Sequence, residues 1–83
     1  MKIKDGFNLK KIGERAFIFS PKEENMFVMN STSIDIWNLL IIGKTEREIV
    51  EELSSLYDVS EEILVEDVHE LLLQMKSAGV IID

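Results

Sequence analysis

The rhythm of apolar and polar positions changes partway along the chain. Up to Met29 the apolar residues fall in three short runs. Phe7 to Ile12 alternates weakly, Arg15 to Phe19 is apolar after its first residue, and Met26 to Met29 is apolar throughout. Gly13-Glu14 separates the first two runs, and Gly-X in a two-residue loop predicts a type II′ hairpin turn. Ser20 to Asn25 is polar and holds Pro21, which suits a turn and cannot donate to a strand ladder. Three runs with two short connections predict an antiparallel meander.

From Asn30 onward the period lengthens to that of helices. Asn30, Ser31 and Thr32 all suit an N-cap, Ile36, Trp37 and Leu40 lie near one stripe, and Gly43 ends the segment. Thr45 and Glu48 then form an S/T-x-x-E capping box, followed by an apolar face of Ile49, Val50, Leu53 and Leu56. Ser60 caps a third helix, with Glu61 and Glu62 in the first turn, where the helix dipole favours anions. Along it Leu64, Val68, Leu71 and Met75 recur at i, i+4, i+7 and i+11, widened by Val65 and Leu72. Such a stripe is first of all a core face. Ile63 and Leu73 fall outside it, and that surplus must be buried elsewhere or offered to a partner. Gly79 ends the helix, and Val80-Ile81-Ile82 can return as an apolar tail. The pattern predicts an α+β fold, a three-stranded antiparallel sheet followed by three helices.

Composition narrows the class. A chain of 83 residues, 46% of them hydrophobic, predicts a single domain over residues 1–83 with one modest core. No apolar run approaches the roughly 18 residues of a membrane span, and Met1 to Asp5 lacks the apolar stretch of a signal peptide. With no cysteine there is no disulfide framework and no thiolate ligand or nucleophile. These features together predict a cytoplasmic protein. The net charge of −7 is uneven: residues 1–44 carry +2 and residues 45–83 carry −9. An acidic half repels the phosphate backbone that a nucleic-acid binder must neutralise.

Little here can carry chemistry. The single histidine, His69, has Glu66 three residues before it, but one imidazole and one carboxylate do not make a metal site. The four glycines are isolated, so no phosphate-cradling loop is present. Asp67 and Glu70 are better placed as solvated or partner-facing carboxylates than as a catalytic pair. The residues therefore predict a binding or interaction module, not an enzyme, with no cofactor and no metal. A small open sheet has edges with unpaired N–H and C=O groups, and a peptide can add there as another strand. The methionines at 26, 29 and 75 suit an adaptable groove and equally suit ordinary core filling.

An ordered set of residues runs through the chain. It begins with Phe17-Ile18-Phe19, Met29-Asn30 with Thr32, Ile36-Trp37, Leu39-Leu40 and Gly43. It continues with Thr45, Glu48-Ile49, Leu53, Tyr57-Asp58-Val59, Asp67-Val68, Leu71-Leu72, Met75 and Gly79-Val80. This set resembles the PqqD family, small peptide-binding domains also called RiPP recognition elements. The resemblance implies a winged-helix-like fold in which the leader segment of a ribosomally made precursor peptide adds as a strand beside the third strand. It implies Met26, Phe27, Val28 and Met29 as the docking edge. It implies Leu64, Asp67, Val68, Leu71 and Gln74 on the third helix as the facing wall, although periodicity alone does not fix which flank of that helix faces the cleft. The implied partners are the precursor leader peptide and a maturation enzyme, either a radical-SAM enzyme or a lasso-type leader peptidase.

Three departures from the family pattern stand out. Met29 replaces the usual Leu, Ile41-Ile42 precede Gly43 where the family often has a more polar Asp-Gly, and Val28 is apolar where the family is often polar. The last two enlarge an apolar surface, which leaves both a monomer and a homodimer open. Two other functions fit the same fold class: a winged-helix DNA-binding regulator, and a regulatory interaction subunit without a peptide ligand. Against the first, residues 58–70 carry six carboxylates and no Lys or Arg, the reverse of a recognition helix.

Overall fold

The structure, a computed structural model, describes residues 1–22 and 26–82. Its elements in chain order are β1 (Lys2–Ile3), β2 (Asn8–Ile12), β3 (Arg15–Phe19), β4 (Phe27–Met29), α1 (Ser31–Ile41), α2 (Glu46–Leu56), α3 (Glu61–Ser77) and β5 (Ile81–Ile82). Strands β2, β3 and β4 form the expected three-stranded antiparallel sheet in that order. Ile12 pairs with Arg15 across Gly13-Glu14, so the loop has two residues. Gly13 has φ +63° and no non-glycine residue has a positive φ, which matches a type II′ turn, where only the first loop residue needs that region. The rest of the polar connection after Ser20 lies partly outside the described residues.

The helix ends form as the capping chemistry dictates. Asn30 becomes the N-cap of α1, its Oδ1 accepting the Ser33 N–H at 2.8 Å. Thr45 Oγ1 accepts the Glu48 N–H at 3.2 Å, and the Glu48 carboxylate accepts the Thr45 N–H at 3.0 Å, completing the capping box of α2. Helix α3 closes in a Schellman motif: Val80 N–H bonds to Met75 C=O at 2.8 Å, and Gly79 N–H to Lys76 C=O at 3.1 Å. That geometry needs the left-handed backbone of Gly79, φ +80°. Met75 and Val80, which flank the turn, are both fully buried.

One core joins the described elements. Trp37, Ile18, Ile36, Ile49, Leu53, Leu72 and Met75 are among its most deeply buried side chains. The core face of α3 is Leu64, Val68, Leu72 and Met75. Val65, expected beside that face, is instead exposed, whereas Leu72, seven residues on and on the same flank, is buried. Leu56, expected on the buried face of α2, is exposed at the last residue of its helix.

The two ends of the chain hold one feature the pattern did not predict. Strand β1 pairs antiparallel with β5, Lys2 opposite Ile82 and Ile3 opposite Ile81. Lys4 N–H adds a bond to Val80 C=O at 2.8 Å. Two residues per strand give too short an alternation to detect in sequence. The consequence is that the apolar tail is spent on the N-terminus rather than on the three-stranded sheet.

Candidate functional site

In the order β2-β3-β4, strand β4 has a sequence neighbour on one side only. Among the described residues no strand pairs with its other side. The tight hairpin fixes which main-chain groups lie free there. Arg15 flanks the two-residue loop, so its N–H and C=O point toward β2. Alternation then turns those of Ala16 and Ile18 toward β4, where their partners are Met29 and Phe27. The N–H and C=O of Phe27 and Met29 are therefore engaged with β3. Those of Val28 point outward, one donor and one acceptor on the open edge.

The side chains alternate in the opposite sense. Val28 projects from the outer face and is 68% exposed. Met29 projects inward and is 6% exposed, part of the core, so it contributes to an edge only as backbone. Phe27 also projects inward but is only half-buried, because beside it the sheet ends and a groove begins.

That groove lies between β4 and α3 and consists of two adjoining depressions. The larger, about 610 Å³, is lined by Met26, Phe27, Glu70, Leu73, Gln74, Ser77 and Ala78. The smaller, about 300 Å³, is lined by Asn30, Thr32, Ser33, Ile36, Asp67, Glu70, Leu71 and Gln74. Glu70 and Gln74 belong to both, so the depressions run on from one another along the helix. The start of α1 forms the end wall of the smaller one. It is held by the Asn30 cap and by a hydrogen bond from the Tyr57 hydroxyl, at the end of α2, to the Asp35 carboxylate. That bond, with partial burial second, raises the Tyr57 phenol above its ordinary value.

The structure thus brings together Met26, Phe27, Asp67, Leu71 and Gln74 around one groove, with Val28 and Met29 supplying its strand edge. It does not bring Leu64 and Val68 there. Leu64 is 3% exposed and Val68 is 0% exposed, so both serve the core and present no surface to a ligand. The reason is helical phase. The residues facing the groove lie on the row 67, 70, 74 and 77, rotated away from the core row of 64, 68, 72 and 75. Leu73, Ser77, Ala78 and the start of α1 were missed, and Glu70 was read only as a solvated or partner-facing carboxylate. Leu73 carried a signal, as an apolar residue that the core stripe could not accommodate; Ser77 and the start of α1 carried none.

Among the described residues no cationic side chain lines the groove. Its charged lining residues are Asp67 and Glu70, and among the described residues neither makes an ion pair. His69 lies elsewhere, its Nδ1 at 3.2 Å from the Glu46 carboxylate on α2. Among the described residues no group of three or more potential ligands could hold a metal, and no helix is long and apolar enough to cross a membrane.

A family model described as coenzyme PQQ synthesis protein D (PqqD) matches residues 15–81. Two solved structures share the fold. One is TbiB1 in complex with the TbiA(beta) leader peptide, with TM-score 0.84, 23% identity and full coverage of both chains. The other is lasso peptide synthetase B1 complexed with the leader peptide, with TM-score 0.85 and 16% identity over 99% of this chain and 96% of that one. No curated protein matches the chain.

Proposed function

This chain belongs to the PqqD family, and we propose that it binds the leader segment of a precursor peptide by strand addition and presents it to a separate maturation enzyme. The carrying observation is the open edge at Val28 with a groove running beside it. The leader adds to β4 through the outward N–H and C=O of Val28. Its inward side chains enter the groove lined by Phe27, Leu71 and Gln74. Both similar structures are complexes with a leader peptide, which supports a leader-binding role for this chain.

Magnitudes decide what does the holding. Two main-chain hydrogen bonds at Val28 contribute about 1–3 kcal/mol net, far short of the roughly 8 kcal/mol of a micromolar complex. Burial of apolar side chains in the groove must supply the rest, at about 25 cal/mol per Å². The edge therefore sets direction and register, and the groove sets affinity. The protein does the capture, and a radical-SAM enzyme or a leader peptidase does the chemistry.

Isothermal titration with peptides from a small open reading frame beside this gene tests the proposal. Binding of one such peptide, weakened by Phe27→Ala and by Leu71→Ala, is the expected result. Absence of binding by any of them, or binding indifferent to both substitutions, counts against it.

A further inference from the structure

The two halves of the groove differ in chemistry, and strand geometry links them. A strand added to β4 places the residues opposite Phe27 and Met29 on the inner face, and the residue between them, opposite Val28, on the outer face. The two inward side chains are about 6.6–6.8 Å apart. One arrives at the Phe27 end, over the larger depression, where Met26, Phe27, Leu73 and Ala78 offer an apolar bed, with Glu70 on the border it shares with the smaller one. The other arrives at the Asn30 end, over the smaller depression. There Leu71 offers an apolar floor, and among the described residues the charged lining groups are the Asp67 and Glu70 carboxylates. The Asn30 side chain is already committed to capping α1.

We infer that the site reads its peptide as a pair of side chains two residues apart. One is a bulky apolar group in the larger depression; the other is a lysine or arginine in the smaller one. The inference rests on the leader-capture reading and specifies its ligand. The aliphatic stem of the cation lies across Leu71, as long basic side chains do on apolar surface. Its head meets Asp67 and Glu70. The −9 charge of residues 45–83 adds a long-range field that favours a basic segment and disfavours an acidic one. Selectivity thus comes from carboxylates on α3 that contribute nothing to the core.

Selection of random linear peptides displayed on phage against the full chain tests this. Enriched peptides are expected to carry Lys or Arg two residues from Phe, Leu, Ile or Met. Against the double variant Asp67→Asn/Glu70→Gln, the apolar preference should persist and the basic preference disappear. Affinity for a selected peptide should fall roughly three- to tenfold at low salt, the range of two exposed ion pairs. Exchange of the peptide's basic residue for Glu, measured on the unaltered protein, should cost at least as much and needs no change to the fold. Enriched peptides that require the β4 edge (lost with Val28→Pro) but lack a basic preference, or keep it against the double variant, overturn the inference and leave leader capture standing. An outcome with no enrichment, or with peptides indifferent to Val28→Pro, overturns the capture reading and this inference with it.

Discussion

The substitution Val28→Pro isolates strand addition from every other contribution. Val28 is 68% exposed, and its N–H points away from β3, so proline there removes no bond of the native sheet. Edge strands tolerate proline in that orientation, and the residue before it, Phe27, is already extended, as a residue before proline prefers. Folding stability should therefore change by less than about 1 kcal/mol, as for surface sites generally. Binding should change far more. The peptide carbonyl that met Val28 N–H is left without a donor in the closed interface, at a cost of about 1–3 kcal/mol. The proline ring also stands in the path of the incoming strand. The expected loss is roughly 5- to 150-fold in Kd. Fluorescence anisotropy with a labelled leader peptide measures it, and urea denaturation of the same sample verifies the fold. Val28→Thr keeps the donor and a β-branched side chain, and should bind within about threefold of the parent, a change below roughly 1 kcal/mol. A folded Val28→Pro protein that binds the leader as tightly as the parent would refute the reasoning, because the edge would then not be the docking strand.

Three further outcomes follow from the fold. Leu53 is fully buried, and Leu53→Ala should lose about 2–5 kcal/mol in urea unfolding, a large share of the stability of a chain this short. Thr45→Ala should cost about 0.5–2 kcal/mol by removing the α2 cap. The Glu48 carboxyl, held below its ordinary value of 4.5 first by the Thr45 backbone N–H and then by its hydroxyl, should move back toward 4.5 in an NMR titration of that variant. Because its folded value is depressed, the stability it contributes is present above the unfolded value and lost as pH falls through the folded one. Tyr57 has the opposite sign. Its phenol is raised above 10.0, first by the hydrogen bond to Asp35, so its contribution is full below the unfolded value and is lost as pH rises through the folded one. An ultraviolet absorbance titration should show this late ionisation, and Asp35→Asn should bring it earlier.

Local rules settled much of this protein in advance. The Gly13-Glu14 turn, the Thr45–Glu48 box, the Ser60 cap and the Gly79 stop depend on residues within five positions of one another, so the chain declares them wherever it is read. Alternation and helical period likewise located three strands and three helices, and the ordered motif set pointed to the family. Tertiary structure decided the rest. Whether Val80-Ile81-Ile82 would cover β4 or the N-terminus depended on where α3 ended in space, and it went to Lys2–Ile3. The rotation of α3 was equally a packing outcome. Leu64, Val68 and Leu71 share one stripe in sequence, yet the first two fill the core and only Leu71 reaches the groove. Phase within a stripe is set by the shape of the neighbouring elements, which no single helix encodes. Hence the existence of an open strand edge could be read from the residues alone, whereas the particular side chains facing it could not.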